Sequence, residues 1–291
     1  MLNRWGVYQS ERFPLVRHAP LVMVTALCVL MFTLGLRGEN GLPNLLVWLG
    51  SSVVTLGLFF QLRVLDEFKD FDEDSKFRPY RAVPRGVLKL SELAVAGWAV
   101  AGLQLALTLL FAPRATFTLL ICWAFMALMA VEFFVPEWLQ ARPLLYMLSH
   151  APITGLIQIN VSAWLWTAGV PLEILWLALS ATAAGMILEI GRKLRAPQDE
   201  EPGVVTYTAA WGRTRALAAW LIAASAAAIL TLASSFGMVA VVGLSAVGLC
   251  SLWLVLTFNR SATSRLAKLF EPLSAAWALV VFASFALRGV L

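Results

Sequence analysis

Charge is scarce in this chain. Asp, Glu, Lys and Arg make up 13% of its 291 residues and hydrophobic residues 60%, whereas a soluble domain carries roughly a quarter charged residues. A water-soluble fold is excluded, because too few polar side chains exist to cover its surface. Cysteine is almost lacking as well. Cys28, Cys122 and Cys250 are widely separated and all fall in apolar stretches, which excludes a disulfide framework or a metal-ligand spacing and leaves them as small core or lipid-facing groups. The first apolar stretch lacks a small-residue cleavage site, so it reads as a retained helix and not as a signal peptide.

What remains is a series of long apolar runs. Leu21–Leu36, Leu45–Leu62, Leu93–Phe111, Ala115–Val131, Leu144–Ala168, Leu172–Ile190, Leu217–Ala233, Met238–Phe258 and Leu273–Leu287 each approach the ~20 residues that cross a bilayer. The expected fold is all-α: a polytopic membrane helical bundle of nine transmembrane helices forming a single domain over residues 1–291. The net charge of +5 would suggest nucleic acid in a soluble protein, but its distribution points to the membrane instead. With a cytoplasmic N-terminus and nine spans, nineteen Lys and Arg lie inside, and only Arg37, Arg114 and Arg288 lie outside. That bias sets the expected orientation and excludes an even number of spans. Lipid is the expected surrounding and nucleic acid is not an expected partner.

Two inside segments, 63–91 and 189–215, hold most of the charge and mix both signs, although acids contribute little to topology. The first contains six carboxylates between Asp66 and Asp74. If the second span continues as a helix, Asp66, Asp70 and Asp74 repeat every fourth residue and Glu67 joins Asp70 at i+3, while Asp72 and Glu73 point away. Like charges stacked on one face repel unless a cation is bound, and clustered oxygen ligands suit Mg2+, which recruits substrate phosphates. Downstream, Lys76, Arg78, Arg81 and Arg85 offer phosphate-pairing donors. Asp72, Glu73, Lys69 and Lys89 read as an ordinary solvated face.

In these residues the chain resembles the UbiA superfamily of intramembrane prenyltransferases. The first signature of that family is Asn-Asp-x-x-Asp-x-x-x-Asp followed by an Arg-Pro-x-Pro-x-Gly-like stretch. Asp66 stands at the Asn position and Glu67 at the first Asp; Asp70 and Asp74 match, as do Arg81, Pro84 and Gly86, whereas Ala82 replaces a proline. The resemblance extends to nine helices with charged loops after the second and sixth. It implies a helical bundle whose central cavity opens to lipid, where Mg2+ holds a prenyl diphosphate, the allylic C–O bond ionises and a small lipophilic or aromatic acceptor captures the carbocation. The implied metal ligands are Asp66, Glu67, Asp70, Asp74, Glu189 and Asp199. The implied diphosphate ligands are Lys76, Arg78, Arg81, Arg192, Lys193, Arg195 and Tyr207, with Asp70, Asp74 and Arg195 as the catalytic set.

The second signature departs from the family. Alignment back from Gly203, Thr206 and Gly212 puts Arg195 and Asp199 at its two acid positions, so one acid has become a base, and Glu189 supplies a carboxylate a turn or more earlier. Direct cation contacts would then replace one Mg2+. Among polar residues within spans, Glu132 and His150 read as snorkelling groups, Gln104 as a further intramembrane amide, and Gln158 and Asn160 as a candidate acceptor pocket. The family's Tyr-Pro-x-x-Lys-Arg element is not evident near Val135–Arg142. A terpene cyclase of the same fold and a non-catalytic transporter or lipid-binding protein are therefore the alternatives. The expected location is a bacterial inner (cytoplasmic) membrane. A reporter fused after Leu291 should be read on the side opposite Arg4; a signal on the same side would disprove an odd number of crossings.

Overall fold

In a bilayer the backbone must satisfy its own hydrogen bonds, and continuous helices do so within one segment. The computed structural model, which describes residues 2–167, 169 and 171–288, is built accordingly from helices joined by turns and by two longer charged connections, 78–89 and 193–206, with no strand among the described residues. In chain order they are α1 (Leu2–Arg12), α2 (Leu15–Leu36), α3 (Leu45–Lys69), α4 (Phe71–Phe77), α5 (Leu90–Phe111), α6 (Ala115–Ala130), α7 (Pro136–Gln140), α8 (Pro143–His150), α9 (Pro152–Ala163), α10 (Glu173–Arg192), α11 (Tyr207–Trp211), α12 (Arg213–Ser234), α13 (Met238–Arg260), α14 (Ser264–Ala267) and α15 (Phe270–Ala286).

Each apolar run marked from the sequence is helical, with two departures and one added helix. Eight segments are long and apolar enough to cross a membrane, namely α2, α3, α5, α8 with α9, α10, α12, α13, and α14 with α15. The expected ninth, α6, has only 16 residues, about 24 Å of helix against ~30 Å of hydrocarbon. The run from Leu144 to Ala168 is two helices, because Pro152 has no amide hydrogen to continue the ladder from α8; the second ends at Ala163, and Ala168 lies outside the described residues. The first helix, α1, precedes the membrane runs and is polar on average. Its residues Arg4, Tyr8, Glu11 and Arg12 recur at helical spacing, a stripe that the apolar runs do not reveal.

Hydrocarbon offers no hydrophobic drive between helices, so small residues and interhelical hydrogen bonds set the packing. In α10, Gly185 lies against Thr154 of α9, and Gly155 of α9 lies against the Ala178 backbone. The buried Trp220 indole of α12 donates to Ile187 O and Ser274 Oγ, both at 3.1 Å, and so joins α10, α12 and α15. Gln104 donates to Val54 O at 2.9 Å between α5 and α3. Asn160 donates to Ala115 O at 3.1 Å and Thr118 Oγ1 at 2.9 Å between α9 and α6. Because α2 also packs on α15, the first and last spans close the bundle.

The two ends differ. One carries Arg37, which donates to Leu165 O, and Arg114, which donates to Trp166 O. The other gathers both charged segments: Tyr80 donates to Glu201 at 2.9 Å, and the Phe77 ring fills the space beside Gly203, whose φ of +74° a residue with a Cβ would not adopt without strain. Gly191 sits where α10 meets α12 and α15; an added Cβ would collide with the Ser274 hydroxyl and lie 3.1 Å from Phe270 O and Trp220 Nε1. Gly191→Ala should therefore destabilise the bundle by ~1–3 kcal/mol through overpacking, measured as a lower unfolding temperature in detergent; an unchanged temperature would contradict this packing.

Candidate active site at the charged end

The first acidic segment grows directly from α3. That helix ends at Lys69, and Asp70 (φ −90°, ψ 0°) both caps it and opens α4. The i to i−4 hydrogen bonds nevertheless continue, from Asp70 N to Asp66 O at 2.9 Å and from Asp74 N to Asp70 O at 2.7 Å. The expected register of Asp66, Asp70 and Asp74 is thereby kept, and Asp72 and Glu73 are exposed as expected.

The acids have different partners. Asp74 is buried, and its two oxygens meet Arg78 at 2.7 Å and Arg81 at 2.6 Å, with Arg12 of α1 at 3.8 Å. Glu67 is 2% exposed and receives the Arg12 Nε–H at 2.5 Å. Asp66, whose side chain is about half-exposed, has Arg63 at 3.4 Å. Asp70 makes no ion pair among the described residues; burial first, then the charges of Asp66, Asp74 and Glu73, push its carboxyl above the usual range. Lys76 is exposed and lies 4.9 Å over the Phe77 ring.

The second segment begins where α10 ends, five residues before Pro197, with Lys193 as the cap. Glu189 is held by Arg192 at 2.5 Å and Lys193 at 2.9 Å. Tyr207 is buried beneath the Lys193 ammonium, 5.5 Å from the ring centre, and burial, followed by the Glu189 charge, pushes its phenol well up. Asp199 instead accepts from Ser264 at 2.8 Å, which ties its loop to α14. Arg195 is exposed and lines a cleft of about 340 Å3 with Glu200, Thr208, Arg213 and Thr214, none of which is a first-segment acid. The Asn160 amide nitrogen joins α9 to α6, while the buried Asn160 Oδ1 and Gln158 Oε1 both have no hydrogen-bond partner.

One cluster went unread in the sequence. Lys69 of α3 pairs with Glu132 at 2.5 Å and accepts company from Tyr146, its ammonium donating to the phenol oxygen at 2.9 Å. Tyr146 donates to Glu132 at 2.9 Å, and His150 Nε2 lies 3.2 Å from the other Glu132 oxygen. Glu132 is thus a buried ion-pair partner and not a snorkelling group, and Lys69 is not merely solvated. Glu132, Phe133 and Phe134 have φ of 48°, 52° and 63°, a left-handed turn costing of order 1–3 kcal/mol per residue, which the ion cluster holds in place. Periodicity cannot reveal it, because these residues lie where the α6 ladder stops.

Oxygen donors and residual negative charge fit a hard divalent cation at Asp66 and Asp70. Mg2+ is commonly held by one or two carboxylates together with water and substrate phosphates, so the lack of any group of three potential ligands among the described residues is compatible with it. Glu67, Asp74 and Glu189 are already neutralised by protein cations.

The resemblance read from the residues holds at the level of the fold. A UbiA homolog from Aeropyrum pernix K1, in its apo form, superposes with a TM-score of 0.65 at 18% identity over 92% of this chain and 96% of its own. A digeranylgeranylglyceryl phosphate synthase superposes with a TM-score of 0.63 at 15% identity over 98% of both chains. No protein-family model matches the sequence. No curated protein matches it either.

The two central acids should respond oppositely to neutralisation. A carboxyl whose folded pKa is raised loses stability as pH rises through its unfolded and then its folded value, so at neutral pH Asp70→Asn should raise the unfolding temperature. Asp74→Asn should lower it, because removing one partner of a buried pair costs about 3–5 kcal/mol. Thermal unfolding at pH 7 checks both; equal shifts would refute the assignment.

Proposed function

We propose that the protein transfers a prenyl group from a prenyl diphosphate to a small lipophilic acceptor in the membrane, with Mg2+ held at Asp66 and Asp70. The observation that carries this reading is the uncompensated Asp70 carboxylate beside Asp66, at the end of the bundle where the two charged segments meet, within a fold shared with prenyltransferases. In this reading α6 is a short ninth crossing, the N-terminus and the charged end are cytoplasmic, and the protein resides in a bacterial inner membrane.

The chain's residues divide the work. Asp66 and Asp70 would hold Mg2+, which supplies positive charge to a departing diphosphate. Arg192 and Lys193 release Glu189 in part to pair with the diphosphate oxygens, a charge-assisted exchange worth ~1.5–3 kcal/mol per bond. Arg195, exposed in the neighbouring cleft, is a further cation for the diphosphate. Asp74 fixes Arg78 and Arg81, and so sets the wall of the site without touching the metal. The allylic C–O bond breaks with its electron pair leaving on the diphosphate oxygen, the acceptor's electron pair forms the new bond, and the proton that the acceptor then loses passes to the released diphosphate or to water. The apolar helices keep water from the carbocation.

Purified protein with Mg2+ and a prenyl diphosphate should release pyrophosphate, and Asp70→Asn should abolish the release while remaining folded and inserted. Product mass then separates prenylated acceptor from cyclised terpene. Absence of release with every prenyl diphosphate tested would favour a transporter or lipid-binding protein.

A further inference from the structure

By its place in the first signature, Glu67 stands where a metal-binding carboxylate is expected, yet it is met by a guanidinium from outside that segment. Arg12 lies at the end of α1, and its Nε–H reaches Glu67 Oε1 at 2.5 Å while Nη2 lies 3.8 Å from Asp74. The side chains of Arg12 and Glu67 are 10% and 1% exposed. Mg2+ dehydrates reluctantly and keeps several waters, whereas the Glu67 carboxylate is closed off from solvent and already met by Arg12. Asp74 Oδ2 accepts from Arg81 at 2.6 Å, and Arg78 Nη2 pairs with Oδ1 at 2.7 Å outside hydrogen-bond geometry. Three guanidiniums therefore act on Glu67 and Asp74, with Arg78 also 3.9 Å from the exposed Glu73, so the two buried carboxylates carry no charge deficit for a metal to fill.

The position of Arg12 is fixed by the rest of α1. Tyr8 is 1% exposed and packs with Val64, Val83, Leu88 and Leu93, which lie on α3, on α5 and on the turn between α4 and α5. Arg4 pairs with Glu92 at 2.9 Å, and Glu11 with Arg85 at 2.6 Å. These contacts clamp α1 over the acidic segment and deliver the guanidinium to one place. Glutamate, longer than aspartate by one methylene, extends the carboxylate toward it.

We propose that Arg12 is a built-in cation that takes the place of a metal ion on Glu67 and Asp74, so that the first charged segment binds one divalent cation, at Asp66 and Asp70. The prenyl-transfer reading enters only through that last assignment; the charge balance at Glu67 stands without it. Arg12 is accordingly a positioning residue, and α1 is part of the site.

The test counts metal directly, with Mn2+ titrated into the full chain in detergent in the presence of inorganic pyrophosphate and followed by electron paramagnetic resonance. Glu67→Gln should leave Mn2+ affinity unchanged, whereas Asp70→Asn should weaken it by about 10–100-fold. Arg12→Gln should bind one Mn2+ more than the unmodified chain, and Arg12→Gln combined with Glu67→Gln should lose that gain. A Glu67→Gln chain that binds Mn2+ at least about tenfold more weakly, or a folded Arg12→Gln chain with no additional site, would overturn the proposal. If Arg12→Gln does not fold, Glu67→Gln decides alone. Failure of prenyl transfer is distinguishable, since it is read from pyrophosphate release and leaves these counts intact.

Discussion

A carboxylate at the margin of a hydrocarbon slab must find a cation, and the charged end of this bundle follows from that requirement. Burying an unpaired ion costs several kcal/mol even after relaxation, so the acids carried inward on α3, on α4, after α6 and on α10 are matched by bases. Glu67 is matched from α1, Asp74 from the turn after α4, Glu132 from α3 and Glu189 from the end of its own helix. Asp70 is the exception among these inward acids, and an unmatched acid is where a cation from solution has most to gain.

The same requirement explains features that look unrelated. The polar helix α1 ahead of the membrane spans exists as a fixed element because its Arg12 and Tyr8 have buried partners. The left-handed turn at Glu132–Phe134 persists because Lys69, Tyr146 and His150 converge on Glu132. The break between α8 and α9 leaves a separate short helix, α8, that presents Tyr146 and His150 together to that cluster. Away from the charged end, packing rests on close glycine contacts and on single hydrogen bonds from Trp220, Gln104 and Asn160, the means available where hydrocarbon supplies no drive for helices to associate.

Much of this was legible from residues alone. Apolar runs located every long helix because hydrophobic length has a direct physical counterpart in membrane thickness. The i, i+4 spacing placed Asp66, Asp70 and Asp74 on one face, and the register survived the break at Asp70 because the backbone hydrogen bonds span it. The length of α6 and the division at Pro152 were blurred because apolarity alone does not mark where a helix stops. The Arg12–Glu67 pair, 55 residues apart in sequence, and the Lys69–Glu132 pair carry no local signature at all.

An all-helical membrane bundle, its approximate helix positions and its two charged segments can be read from residue order alone, since these depend on composition and on spacing along one helix. The folded chain is needed to see which acids are neutralised and which remain available, that Arg195 lines a cleft with Glu200 and Arg213 while Asp199 accepts from Ser264, and that α1 reaches the site. The reason is physical: the state of a buried charge is set by the nearest opposite charge in space, and in a folded chain that neighbour can come from any helix.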